Sequence, residues 1–322
     1  MRRIAAALLV PLAACLVLVG CGSSSAPSAA NANAAVKVTG VLGKTANVSI
    51  PAAMASSKLA ISTPIKGTGP ALKSGDSSLA DVMLYKWSGT KHALLSSSFT
   101  SGGPSIIPAQ VGLPGLVTAL KGAHLGSRIV AVLPPKYGYG PSGNSQLQVT
   151  GSDTLVWVID LLQQYSATQS ATGSQVSTGG GNLPSVSAKP GQAPVVTVPK
   201  NSPPSKLSVT TLIQGSGPKL AKGDIAVAQY VGVNWRTGKA FDASWPSAQN
   251  PAGHLLSFPV GGQQVLPGLS NGLAGVPVGS RVMVVIPPAL GYGPAGGQAS
   301  AGIKKTDTLV FVIDVLGSQP TA

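Results

Sequence analysis

The chain has 322 residues, 43% of them apolar, with 22 Lys and Arg against 8 Asp and Glu, a formal charge of +14, 41 Gly and 27 Pro. Glycine and proline together stay below the roughly 25–30% of low-complexity disorder, and at about 100–200 residues per domain the length suggests two domains with real cores. The basic residues stand singly or in pairs such as Arg2-Arg3 and Lys304-Lys305, never in the roughly 5–8-residue patches that nucleic-acid binding needs, so no nucleic-acid partner is expected.

From the N-terminus, Arg2 and Arg3 precede an apolar run from Ile4 to Gly20. This is the layout of a secretory signal, and the run is marginal in length for a membrane span. It closes on Leu18-Val19-Gly20-Cys21 and then Gly22 and serines, which resembles a bacterial lipobox, where small residues let a peptidase reach the bond before a lipid-bearing cysteine. Leu12-Ala13-Ala14-Cys15 is a weaker second match. The resemblance implies a signal over 1–20, lipidation at Cys21 and an extracytoplasmic protein anchored to the bacterial membrane by its lipid. An uncleaved N-terminal anchor gives the same location. Cleavage before Cys21 leaves a single cysteine and excludes an intramolecular disulfide.

Residues 21–42 are largely small and polar and are expected to form a tether, and 166–190, with Gly179-Gly180-Gly181, a flexible linker. The segments 43–165 and 191–322 repeat each other. Gly43 to Leu59 matches Gly191 to Leu207, Ile65 to Asp76 matches Ile213 to Asp224, Leu113 to Pro141 matches Leu266 to Pro294, and Ser152 to Leu162 matches Thr306 to Leu316. So many matches in one order mean two copies of one domain.

Runs of strand length rich in β-branched residues, Ala226 to Val231, Arg281 to Ile286 and Thr308 to Leu316, are bounded by Gly, Pro or Asp. One segment per copy reads as helix, Pro267 to Ala274 in the second, with Leu266, Leu269 and Leu273 on one face. Gly268 and Gly272 make it weak alone, so packing on a sheet must hold it. One short helix on a mostly antiparallel sheet is an α+β domain.

In the second copy, Gln229 to Trp245, the run from Val260 through Leu266 to Val282, Ile286 to Pro294 and Thr306 to Leu316 resemble, in order, the body of FKBP-type peptidyl-prolyl cis-trans isomerases. The resemblance is strong over Leu207 to Leu316 and weak over Leu59 to Leu162. It implies a twisted antiparallel sheet wrapped over a short helix in each copy. It also implies isomerisation of X–Pro bonds without cofactor or metal, proline-containing polypeptides as clients, a role in folding exported proteins, and macrolide binding. Carried over by position, Tyr230, Phe241 and Phe311 are pocket walls, and Val265 and Leu266 stand at the helix entrance. Asp242 is the carboxylate oriented by Tyr230, Tyr292 bonds a substrate carbonyl, and Ile303 covers the proline ring. Asp242, Tyr292, Phe241 and Phe311 are the expected catalytic set. Two positions depart from the family: Leu269 replaces an aromatic floor, and Leu256 an aromatic wall. Trp235 and Trp245 read as loop or rim residues, and His92, His124 and His254 show no ligand spacing and receive no chemistry.

Aligned on Ser98-Phe99, the first copy has Leu95-Ser96 for Phe241-Asp242 and Gly112 for Val265, and retains Tyr85, Leu113, Tyr139 and Trp157. It is expected to be a degenerate copy with weak or no activity. The alternative readings are a non-catalytic chaperone or binding lipoprotein for proline segments, favoured by Leu269 and Leu256, and a solute-binding lipoprotein, disfavoured by the lack of an alternating α/β pattern.

Overall fold

The computed structural model describes residues 32–108, 112–248, 250 and 253–320. The signal segment and Cys21 lie outside the described residues. In the first copy the elements are β1 (Ala60–Ile65), β2 (Ser77–Ser88), β3 (Lys91–Ser97), β4 (Ser105–Pro108), α1 (Pro114–Leu120), β5 (Arg128–Leu133) and β6 (Thr154–Tyr165). They form an antiparallel sheet of order β1-β5-β6-β2-β3, with β4 also on β2. A two-residue strand β7 (Ser174–Gln175) precedes the second copy: β8 (Ser208–Gln214), β9 (Ile225–Asn234), β10 (Ala240–Ala243), β11 (Leu256–Pro259), α2 (Pro267–Leu273), β12 (Arg281–Ile286) and β13 (Leu309–Gln319). Its order is β10-β9-β13-β12-β8-β7, with β11 on β9. Each sheet is antiparallel and carries one short helix, so the α+β expectation holds.

The pleat of the strands sorts the side chains onto two faces. On β12, Val282, Val284 and Ile286 turn to α2 while Met283 and Val285 turn away; on β13, Phe311 and Ile313 turn to α2 and Val310 and Val312 away. The two helix glycines have a packing reason. A Cβ on Gly268 would lie 2.4 Å from Ile286 Cγ2, and one on Gly272 2.9 Å from Val284 Cγ1. The helix settles onto β12 because those positions are bare, and the burial of Leu269 and Leu273 offsets their poor propensity.

The described part of the tether, 32–42, and the linker differ from expectation. In the first, Lys37–Thr39 pairs with Asn47–Ser49, and Val36, Val38, Ala46 and Ile50 cover the outer face of the sheet over Met83, Trp87, Val130 and Val132. In the second, Ser185–Ser187 pairs with Val195–Thr197, and Val186 packs on Met283, Val285, Val310 and Trp235. The physical reason is that both central strands are apolar on both faces, and an apolar outer face in water needs a cover. Corresponding ion pairs hold chain against the two sheets, the cover itself in the first copy and the segment before the cover in the second. Arg128 donates to Asp160 at 2.6 Å and to the Val41 and Lys44 carbonyls at 2.9 and 3.0 Å, while Gly43 N–H donates to Asp160 at 2.7 Å. Arg281 donates to Asp314 at 2.5 Å, and Asp314 accepts from Ala171 N–H at 3.0 Å. Trp87 Nε1 donates to the Ala53 carbonyl and Trp235 Nε1 to the Asn201 carbonyl. Trp235 and Trp245 are therefore buried under the cover, not at a rim.

The copies also meet each other. Leu79 and Tyr165 bury against Ile225, Val227 and Leu316, and Gln163 Nε2 donates to the Ser318 carbonyl at 2.9 Å.

Candidate active site

The helix face of the second sheet gathers the expected residues. Tyr230 on β9, Phe311 on β13, Leu269 on α2 and Ile303 are buried in one cluster, with Phe241, Leu256, Val265, Leu266 and Tyr292 half-buried against it. Gly232 is the hinge of this arrangement. It pairs with Asp242 on one side and Phe311 on the other, and a Cβ there would meet Phe241 Cζ at 2.7 Å and Phe311 Cε1 at 3.1 Å. Two phenyl rings thus lie over bare backbone, 5.7 Å apart and edge-on at 82°, and Phe311 lies 6.0 Å from the Tyr230 ring.

The polar part of the site is small. Asp242, exposed at the mouth, accepts from the Tyr230 hydroxyl at 2.5 Å. Burial first, then the bond to Asp242 and its charge, push the Tyr230 phenol well above its ordinary pKa. It therefore stays a neutral donor. Burial, and then the Asp242 charge, also raise the Tyr292 phenol. One partner escaped the sequence reading: His254 Nε2 lies 3.2 Å from the Tyr230 oxygen. No motif spacing could reveal it, because His254 comes back to Tyr230 from outside the matched motifs.

The first copy builds a different floor. Leu84 pairs with Ser96 and Trp157, as Gly232 does with Asp242 and Phe311, and the latch tryptophans Trp87 and Trp235 fix the same frame. Counting back from them places Val82, not Tyr85, at the position of Tyr230. Tyr85 sits three residues from Val82, an odd step on a strand, and packs on the outer face. Leu95-Ser96 stand for Phe241-Asp242 as expected, and Leu84, 3% exposed, fills the space that Gly232 leaves open. A separate cavity of about 440 Å³ lies between the copies, walled by Val82, Leu84 and Trp157 of the first and Phe258 and Pro259 of the second. Its lining holds no pairing of a phenol with a carboxylate.

Sequence comparison matches residues 83–162 and 217–316 to the FKBP-type peptidyl-prolyl cis-trans isomerase family, more than half of the chain. The chain belongs to that family. It is 36% identical over 125 residues to an FK506-binding protein of Streptomyces anulatus, covering 39% of this chain and 96% of that protein. It is 26% identical over 204 residues to the mouse peptidyl-prolyl cis-trans isomerase FKBP9, covering 63% of this chain and 28% of that one. Among solved structures, AtFKBP13 aligns at 31% identity over 36% of this chain and 96% of its own, with a TM-score of 0.30. The FKBP-type assignment and its two matched segments carry the activity, isomerisation of peptidyl-prolyl bonds, to this chain.

Proposed function

We propose that the isomerase activity resides in the second copy, that the first copy isomerises proline weakly or not at all, and that the protein acts on exported, partly unfolded polypeptides from a lipid anchor at Cys21. The observation that carries the assignment is the Tyr230–Asp242 hydrogen bond at 2.5 Å beside the Phe241–Phe311 pair, a combination that the first copy lacks.

The chemistry asks for little more. An X–Pro bond resists rotation by about 18–20 kcal/mol of amide resonance and turns over in tens to hundreds of seconds unaided. At the twisted transition state that resonance is lost, and the carbonyl and nitrogen interact less with water than in the planar amide. An apolar pocket therefore binds the twisted form better than the planar one. In the second copy Phe241, Phe311 and Tyr230 supply the apolar walls, Leu269 and Ile303 the floor and cover, and the backbone at Val265 and Leu266 the approach to the helix. Asp242, held by Tyr230, faces the carbonyl carbon as it loses electron density, and Tyr292 donates to a neighbouring substrate carbonyl. Leu269 and Leu256 make the floor and one wall aliphatic, which relaxes substrate choice. The same walls suit a macrolide ring.

A protease-coupled assay of the full chain with a Leu-Pro peptide tests this reading. Asp242→Val should remove most of the activity, and Ser96→Val in the first copy should leave it unchanged. Undiminished catalysis by Asp242→Val would overturn the assignment. For the anchor, Cys21→Ala should abolish incorporation of a labelled fatty acid and release the protein from the membrane fraction; continued labelling would refute lipidation at that cysteine.

A further inference from the structure

His254 lies outside every motif that marks the second copy, yet the fold delivers it to the pocket with care. Its backbone N–H donates to the Ser244 carbonyl at 2.7 Å. Gly253, at φ 61°, turns the chain back to allow this, and a Cβ there would stand 2.7 Å from that same carbonyl oxygen. Ser244 is itself fastened to Tyr230: the Tyr230 N–H donates to Ser244 Oγ at 2.7 Å, and the Ser244 N–H to the Tyr230 carbonyl at 3.0 Å. The imidazole is thereby set edge-on to the Tyr230 ring, centroids 6.0 Å apart at 76°, with Nε2 3.2 Å from the phenol oxygen.

Counting protons fixes the roles. Tyr230 has one hydroxyl proton and gives it to Asp242, so toward His254 its oxygen only accepts. Nε2 must carry the hydrogen, and Asn250 Nδ2 lies 3.4 Å from Nδ1. The donors run in one direction, His254 to Tyr230 to Asp242, and end on the carboxylate.

We propose that His254 is a positioning residue of the isomerase pocket: by donating to the Tyr230 oxygen it holds the phenol with its proton on Asp242 and its ring against Phe311. This rests on the second-copy reading above. His254 touches no substrate in this role and exchanges no proton during the reaction; it makes the pocket ready before the proline arrives.

The test is steady-state isomerisation by the full chain. His254→Ala should lower kcat about three- to ten-fold with KM little changed, the worth of one hydrogen bond. His254→Gln, whose amide N–H can reach the same oxygen, should recover at least half of the rate. In a Tyr230→Phe background, with no oxygen to hold, His254→Ala should cost nothing further. A role confined to supporting the loop would not separate Gln from Ala, nor vanish with the phenol. Wild-type rate in His254→Ala, failure of Gln to rescue, or a full multiplicative loss in the double variant would each overturn the proposal. Asp242→Val measured beside them separates the two levels. Loss there with an unaffected His254→Ala overturns the positioning role alone, whereas full activity in Asp242→Val overturns the pocket reading and the role together.

Discussion

Set side by side, the two copies agree on their outer faces and disagree under their helices. Arg128–Asp160 answers Arg281–Asp314, Trp87 on the Ala53 carbonyl answers Trp235 on the Asn201 carbonyl, and the two covering ribbons occupy corresponding positions. Under the helices, Val82, Leu84, Leu95, Ser96 and Trp157 stand where the second copy has Tyr230, Gly232, Phe241, Asp242 and Phe311. The difference teaches that scaffold and pocket are separable. The rivets hold a sheet whose inner face can line either an aliphatic cavity shared with the neighbouring copy or an aromatic slot, and the two differ at one bare backbone position, glycine in one copy and leucine in the other.

The shared scaffold is where the largest effect is expected. Arg128 and Arg281 are 1% and 6% exposed and paired with buried carboxylates, and removing one partner of such a pair leaves an uncompensated charge at a cost of about 3–5 kcal/mol. Arg128→Met and Arg281→Met should each destabilise their own copy by that order. They should differ in what comes loose. Arg128 also holds the Val41 and Lys44 carbonyls, so hydrogen exchange should accelerate over 37–49, whereas Asp314 holds Ala171 N–H, so Arg281→Met should expose 167–175. Protection left intact in both segments would break the view that the pairs hold the chain they touch.

The pocket comes next in size. A hydrogen bond to a charged group is worth about 1.5–3 kcal/mol, or roughly 10–100-fold in rate. Gly232→Leu, which brings the first-copy residue into the second, should cost at least that much in kcat/KM, because its side chain must occupy the place of Phe241 and Phe311. The reverse exchange sharpens the comparison further. Val82→Tyr, Leu84→Gly, Leu95→Phe and Ser96→Asp together, in a chain silenced by Asp242→Val, should restore measurable isomerisation. An inert chain after that graft would show that the first copy differs by more than its floor.

A smaller effect concerns the covers, and it bears on what could be read from the sequence. Trp87→Phe and Trp235→Phe each remove a donor to a carbonyl of the covering segment, worth about 1 kcal/mol, visible as a lower thermal midpoint with the rate of isomerisation unchanged. The repeat, the fold class and the clustering of the second-copy residues on one face were legible because four motifs recur in order. The covers were not, since Val36, Val38, Val186 and Val196 are scattered among small polar residues and show no period of their own. Their signal lay elsewhere, in Arg128–Leu133 and Arg281–Ile286, strands buried at every position. Strands apolar on both faces announce a second layer. Tyr85 misled for a related reason. Matching aromatic to aromatic ignored strand parity, and only the pairing of Leu84 with Trp157 places Val82 on the inner face. His254 was illegible because its contact is made by loop geometry.

The smallest expected difference between the copies is their resistance to acid. In the second, Asp307 accepts from Arg236 Nε at 2.7 Å, from Asn234 Nδ2 at 2.7 Å and from Lys304 N–H at 2.9 Å. The Arg236 bond, foremost, holds its carboxyl well below the usual range although burial pushes the other way. In the first, burial pushes the corresponding Asp153 up, and the Thr150 N–H at 2.7 Å, the Ser88 and Thr150 hydroxyls and the Lys86 charge together pull it down to a net lowering. Ser88 stands there in place of Arg236. A carboxyl with a depressed folded pKa contributes stability above its unfolded value of about 3.9, and that contribution is lost as pH falls through the folded pKa. The second copy should therefore keep its native signal to lower pH than the first. Arg236→Ser should destabilise the second copy slightly at neutral pH, where this contribution is fully present, and raise its acid midpoint toward that of the first; the effect is small because the Arg236 side chain is 43% exposed and its charge is screened. Residue-resolved carboxyl titration by NMR reads both copies in one sample. An Asp307 titration unmoved by Arg236→Ser would mean that Asn234 and the Lys304 amide suffice to hold the carboxylate, and that the arginine adds nothing the first copy lacks.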